Sequence, residues 1–487
     1  GLLGDLVVNK QQLDYSYVSN ATQLKSTAPG YMKSTFGSRY RIIIDEDGLY
    51  KITGADLEEA GVRLSDVNVA AMRLSNRNRD VAFYLFGDED GSLDEVDFLE
   101  FWGERNERTF IEEFPDQYSD PFSNENVYWL EWGSRAGNRM VEENGSLTSI
   151  VPGDFNPAFN FRETVHHEQN NTFERLGRRG QETLSYTSDN WFFDSGIRAV
   201  GKNAYPFQLD HPDNSSFNNV IVEAMFAGKS FGAVFNDGNP QTDDKVPHNV
   251  QLWLNNGFVG NGPLTWFNQD TARISNATSS TIRNSDLVHG TNVMEVQLPK
   301  LPDITIQVNG QTIPSKGTDI VLLNWFQVTY DKLYLAENND LEFRRPSFIP
   351  FPNTDLFRFE LDGYRRPDVE IYKKGISRIV NFKIEDIIRG EFLEYKISFQ
   401  DEVVTDDVEY IALTPDMKKK PLRIELDLPP DEENPNLVLQ DAANNAEYLI
   451  ITNRTFLQGA RELLAYRESQ GVAARLISVQ DIYDEFN

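Results

Sequence analysis

Glu447-Tyr448-Leu449-Ile450-Ile451-Thr452 is an unbroken apolar run between polar ends. Such a run, rather than an alternating one, suits a strand covered on both faces in a parallel sheet. Phe456, Ala460, Leu463 and Leu464 then recur at helical spacing, and Gly471 closes the helix. Val472-Ala473-Ala474-Arg475-Leu476-Ile477 supplies a second strand, and 479–486 opens another helix. One strand–helix–strand unit has too few strands to cover its own apolar faces. The expectation over 447–487 is therefore the first edge of an α/β domain, cut short.

Upstream, Leu428-Pro429-Pro430-Asp431-Glu432-Glu433-Asn434-Pro435 leads into 431–446, an acidic, Pro-rich stretch that reads as a linker. Residues 347–430 are strand-rich at 356–361, 369–372, 394–399 and 409–413, which suits a small Ig-like β-sandwich. Between 149 and 346, short aromatic or β-branched runs at 219–226, 249–254, 291–298, 305–308 and 320–330 alternate with Asn/Gly/Asp/Pro clusters. That pattern predicts a jelly-roll-like β-sandwich.

Residues 39–148 read as a small mixed α/β unit. Arg39-Tyr40-Arg41-Ile42-Ile43-Ile44 alternates as a strand, Asp47-Gly48 signals a hairpin, and Leu49-Tyr50-Lys51-Ile52 returns. Thr53-Gly54-Ala55-Asp56 fits a capping box before a short helix ended by Gly61, and strands follow at 71–75 and 81–86. Residues 1–38 are polar and irregular. The predicted fold class is mostly β and multidomain: a mixed α/β unit, a jelly-roll-like sandwich, an Ig-like sandwich, and the opening of an α/β domain.

Composition narrows the function. Apolar residues make up 39% of the 487 and aromatics 12%, ample for several cores. With 46 Lys+Arg against 76 Asp+Glu the net charge is −30, a field that repels phosphate backbones and argues against nucleic-acid partners. There are no cysteines, which excludes disulfides, thiolate metal sites and a cysteine nucleophile within this chain. No apolar run is long enough for a membrane-spanning helix.

The best local candidate for chemistry is Asp88-Glu89-Asp90-Gly91-Ser92-Leu93-Asp94-Glu95-Val96-Asp97. Placing Gly91 at the sharp turn of an EF-hand-like loop puts Asp88, Asp90, Asp94, Asp97 and the Ser92 carbonyl at ligand positions for calcium. Phe86 at the first position and Asp rather than Glu at the last weaken the site; the alternative is a solvated acidic turn. His166-His167-Glu168 offers imidazoles and a carboxylate, but neighbours on a strand point to opposite faces and do not share a metal. Asp210-His211, His248 and His289 carry no spacing signal, and neither Gly-x-Ser-x-Gly nor a phosphate-binding glycine loop occurs. Arg178-Arg179 and Lys418-Lys419-Lys420 read as solvated basic spots. Trp191-Phe192-Phe193, Trp253, Trp266-Phe267 and Trp325-Phe326 suit core packing first, then a protein interface or a sugar-stacking platform.

The terminal run, with Phe456-Leu457, Ala460, Leu463, Arg467, Gln470-Gly471-Val472 and Asp481-Ile482-Tyr483-Asp484-Glu485-Phe486, resembles the start of the gingipain-type cysteine peptidase domain. Asp47-Gly48-Leu49-Tyr50-Lys51-Ile52, Asp94-Glu95-Val96-Asp97-Phe98-Leu99-Glu100-Phe101-Trp102-Gly103, Asn126-Val127-Tyr128-Trp129-Leu130 and 319–330 are similar to the N-terminal region of PorU-like members, sortases of the Bacteroidetes type IX secretion system. The resemblance implies a caspase-like α/β fold at 447–487 and a parent that acts through a Cys–His pair on later strands. It carries no catalytic residue onto this chain, which is expected to be inactive alone. It also implies an extracellular or outer-membrane-associated location, with protein substrates and outer-membrane secretion proteins as partners. The competing reading is a carbohydrate-binding or adhesion array at the cell surface.

Overall fold

The computed structural model describes residues 39–486 apart from short stretches, the longest being 183–188, 235–243, 347–353 and 428–438. The expectations for 1–38 and for most of the 431–446 linker fall outside the described residues. The chain is mostly β, in several sheets grouped as three packed modules and a terminal unit.

In the first module, a five-stranded sheet runs in the order Arg423–Leu426, Arg39–Ile44, Asn126–Trp132, Met72–Asn76, Arg79–Val81. A three-stranded sheet of Gly48–Thr53, Phe98–Gly103 and Phe83–Phe86 packs against it. The hairpin expected at Asp47-Gly48 does not form: the strand before it pairs Ile42 with Tyr128, and the strand after it pairs Tyr50 with Phe101. A hairpin would set Ile42, Ile44, Tyr50 and Ile52 side by side in one sheet. The corner instead brings all four into one buried core. Gly103 permits that closeness, since a Cβ there would sit 2.6 Å from the Tyr50 ring and 2.7 Å from Ile44. The capping box forms as expected: Thr53 N–H donates to Asp56 at 2.8 Å, and Asp56 N–H to Thr53 Oγ1 at 3.1 Å, starting helix Gly54–Glu59.

The second module has eight long strands: Asn160–Glu168, Lys202–Leu209, Ile221–Gly228, Gln251–Leu254, Gly257–Asn261, Thr271–Ser275, Gly290–Gln297 and Ile320–Leu333. The first, eighth, third and sixth form one sheet, and the second, seventh, fourth and fifth the other. That is the strand order of a jelly roll. Tyr205, Phe207, Leu252, Met294, Val296, Phe326 and Val328 from both sheets fill the core. The strand expected at 305–308 lies off the sandwich, as Ile304–Val308 pairs only with Gln311–Ser315. Phe326 points into the core, whereas the fully buried Trp325 belongs to the opposite face. There its indole N–H donates 3.0 Å to the Asp116 carbonyl and its ring meets Tyr118 edge-on. A loop of the first module is therefore what buries it.

The third module is also a two-sheet sandwich. One sheet is Asp340–Arg344, Glu409–Leu413, Glu370–Lys373, Ser377–Val380 and Val141–Asn144; the other is Lys383–Arg389, Phe392–Glu402, Leu356–Tyr364 and Asn156–Pro157. Phe343, Phe359, Phe399 and Tyr410 stack between them. Two strands pair across the segment boundaries drawn from the sequence. Val141–Asn144, expected in the first unit, pairs with Ser377–Val380, and Arg423–Leu426, expected in this sandwich, pairs with Arg39–Ile44. Both are short strands with too little apolar pattern to declare a sheet.

A buried charge cluster closes the seam between the first and third modules. The side chain of Lys418, expected in solvent, is 2% exposed, and its ammonium pairs with Glu100 (side chain 1%) and Glu370. Tyr372 donates its hydroxyl to Glu100 at 2.5 Å, and Arg378 reaches Glu370 at 3.2 Å. Leu49, Met140, Ile411 and Leu413 form the apolar part of the seam around Tyr372. Backbone bonds join in: Lys419 N–H donates to Leu49 at 2.8 Å, and Lys51 N–H to Lys419 at 3.0 Å.

Removing Lys418 leaves two carboxylates buried without their cation. Lys418→Ala should cost about 3–5 kcal/mol in urea denaturation. Lys419→Ala, at the exposed pair with Glu46, should cost no more than about 1 kcal/mol. Equal losses for the two variants would contradict the assignment of Lys418 as the buried link.

Candidate functional site

The terminal unit forms as the sequence pattern indicates. Tyr448–Thr452 and Ala474–Ser478 pair in parallel, joined by helix Leu457–Ser469 and followed by helix Val479–Phe486. Gly471, at φ +77°, turns the chain out of the first helix. Leu457, Ala460, Leu464 and Arg467 are the less exposed positions of that helix, and the Arg467 guanidinium lies 4.4 Å from the centre of the Tyr448 ring. The strand is not covered on both faces. Leu449 is 53% and Ile451 52% exposed, and among the described residues no apolar core cluster draws on any position past Ile424.

Beside the buried Ala474 and Ile477, the unit has an internal ion pair. Asp481, nearly fully buried in the first turn of the last helix, accepts from the Arg454 guanidinium. Burial pushes the Asp481 carboxyl above its ordinary range, and Arg454 opposes the shift. The charges of Asp427 and Arg41, at the edge of the first module, also act on it. The helix start thus lies within electrostatic reach of Asp427, just past strand Arg423–Leu426.

The loop at 88–97 is a tight turn. Gly87 and Gly91 take φ +93° and +83° around Asp88–Asp90. Asp90 accepts from the Ser92 N–H at 2.9 Å and hydroxyl at 2.7 Å, and the buried Asp97 accepts from Asp94 N–H at 2.7 Å. Asp88, Asp90, Asp94 and Asp97 do not bring three carboxylate oxygens within 4.8 Å of one another. The turn's own backbone engages two of its carboxylates.

His166 and His167 face opposite ways, as strand geometry requires. His166 contacts Tyr118 and pairs with Glu168 at 3.1 Å, while His167 packs against Phe207 and Phe326 on the core side. His248, buried beside Trp266, bonds Asp319 at 2.6 Å inside the jelly roll. Of the jelly-roll tryptophans, Trp266 and Trp325 are buried, and Trp253 is half-buried against Phe258. Trp191 is 36% exposed and edge-on to Phe173.

One grouping was invisible in the sequence. Leu209 pairs with Gly290 across neighbouring strands, so the residues flanking that pair, His211 and His289, meet with rings stacked at 4.1 Å. Glu337 joins them, its Oε2 at 3.0 Å from His211 Nε2 and 3.9 Å from His289 Nε2. Burial and the neighbouring His289 pull the His211 imidazole below its ordinary range, and Glu337 opposes that.

Residues 441–487 match the model of peptidase family C25, the gingipain family. In fold the chain is similar to dimeric latent PorU from Porphyromonas gingivalis, at 13% identity and a TM-score of 0.54 over 93% of this chain. The chain spans 38% of that protein's length. A candidate β-galactosidase from Bacteroides fragilis (10% identity, 65% of this chain and 50% of that one, TM-score 0.14) and an FMN-binding β-glucuronidase from Facaelibacterium prausnitzii L2-6 (11%, 67% and 50%, 0.15) superpose too poorly to bear on the fold. No curated protein matches the sequence. No helix among the described residues is long and apolar enough to cross a membrane.

His167 generates a pH prediction. Burial, helped by His166, pulls its imidazole down to about 4, and its Nε2 has no hydrogen-bond partner among the described residues. The unfolded chain then binds a proton that the folded one refuses between about pH 6.5 and about 4. Stability is therefore full above that window and falls as pH drops through it. His167→Phe should flatten this part of the melting-temperature profile; an unchanged slope would show that His167 is not the group responsible.

Proposed function

We propose that this chain is the non-catalytic β-scaffold of a gingipain-like, PorU-related cysteine peptidase or sortase of a type IX secretion system, and that it seats the peptidase domain at 447–486. The observation that carries the reading is the two-stranded parallel sheet with Leu449 and Ile451 half-exposed, inside the region that matches peptidase family C25. Parallel strands are stable when both faces are covered, so this face suits the remaining layers of an α/β sheet. The chain contains no cysteine, so the Cys–His chemistry of such an enzyme comes from outside residues 1–487. Protein substrates and outer-membrane secretion proteins as partners, and an extracellular or outer-membrane-associated location, belong to the same proposal.

A second reading, a carbohydrate-binding or adhesion array, draws support from the exposed edge-on pair Trp191 and Phe173. Rings at a protein surface can stack on sugars.

The test is Leu449→Asp with Ile451→Asp in the complete peptidase polypeptide, assayed for peptide cleavage. The scaffold reading expects activity to be lost while the main melting transition of residues 39–426 is kept. Full activity in the double variant would overturn it. Saturable glycan binding that Trp191→Ala abolishes would favour the second reading.

A further inference from the structure

We propose that His211, His289 and Glu337 form a binding site for a borderline divalent cation of the zinc class, where the jelly roll meets the third module. This is independent of the peptidase reading. Three different backbone features bring the ligands together. His211 follows strand Lys202–Leu209 in a left-handed conformation (φ +42°), and its carbonyl accepts from Leu333 N–H at 3.0 Å. His289 immediately precedes the neighbouring strand Gly290–Gln297. Glu337 opens a two-residue turn whose central residues, Asn338 and Asn339, both have positive φ (+54° and +64°), and it exchanges backbone bonds of 3.1 and 3.0 Å with Asp340. That turn connects the last jelly-roll strand to the first strand of the third module.

The spacing fits a tetrahedral ion. Zinc–nitrogen and zinc–oxygen bonds of about 2.0–2.2 Å place neighbouring ligands about 3.3 Å apart. The distances here, 3.0 and 3.9 Å, bracket that value. The donors are two imidazoles and one carboxylate, a set that selects zinc, nickel or copper over calcium or magnesium. One ring must turn. The two imidazoles lie within 8° of parallel, and parallel rings do not aim in-plane lone pairs at a single ion. His289, about half exposed, is the ring with room to rotate, giving up only a long 3.3 Å bond from His211 N–H to its Nδ1. Asp210, whose charge also reaches His211, adds negative potential, and a water completes the coordination from the solvent side. A bound ion would tie the jelly-roll edge to the turn that enters the next module.

The chain has five histidines, so the attribution is clean. Tag-free protein is titrated with Zn²⁺ by calorimetry and with Co²⁺ by visible absorption, alongside melting with each ion. The expected result is one ion per chain, a Co²⁺ ligand-field band, and a raised melting temperature that Ca²⁺ does not reproduce. His289→Ala, on the exposed side, and Glu337→Gln should each weaken binding at least about tenfold while the metal-free circular dichroism spectrum stays unchanged. No binding by the parent chain, undiminished binding by His289→Ala, or binding lost in His166→Ala instead would each overturn the site.

Discussion

The ammonium of Lys418, withdrawn from water between the carboxylates of Glu100 and Glu370, is the interaction on which the arrangement of the chain depends. The three groups come from three distant parts of the sequence: Glu100 from a strand of the first module, Glu370 from a strand of the third, and Lys418 from the segment returning from the third to the first. Buried ions are costly to desolvate, and a hydrophobic substitute of the right shape can be as stable. What the ionic version adds is selectivity. Any other register would leave at least one of these charges unpaired in an apolar seam. A second cluster repeats the logic within the third module, where Lys373 meets Glu143 at 2.5 Å and Asp401 at 2.9 Å, and Tyr410 donates to Asp401 at 2.5 Å. Glu143 lies on the strand that the N-terminal part of the chain contributes to that sheet.

Strand exchange makes these clusters geometrically binding. Because Val141–Asn144 enters the third module and Arg423–Leu426 returns to the first, the modules are interleaved rather than strung in sequence. Asp116 and Tyr118 fasten the jelly roll to the first module by covering Trp325, and Arg273 adds an ion pair to Asp116 at 3.1 Å. The chain therefore approaches the terminal strand–helix–strand from a strand already anchored in a sheet. Asp481 and Arg454 pair inside that unit, and the charges of Asp427 and Arg41 act on Asp481.

Much of this was readable in advance where apolar periodicity is strong. The jelly-roll strands at 249–254, 291–298 and 320–330, the capping box at Thr53, and the parallel pair around Leu449 all carry their own pattern. The misreadings have one cause: local signals do not say which partner a strand takes. Asp47-Gly48 is a good turn, yet the strands on either side belong to different sheets. Lys418-Lys419-Lys420 looks like a solvated basic spot, and only tertiary packing singles out Lys418. His211, His289 and Glu337 are separated by long stretches of chain and by a cross-strand register that no sequence window contains.

Hydrogen exchange over residues 415–427 measures the central claim most directly, since Lys419 N–H is bound to Leu49, Leu422 N–H to Ile43, and Arg423–Leu426 completes the first module's sheet. If the modules are locked through Lys418 and this returning strand, these amides exchange only as slowly as the first module's central strands, by global unfolding. Exchange of 415–427 orders of magnitude faster than Asn126–Trp132 would mean that the seam opens on its own, and that Lys418 does not lock the first module to the third.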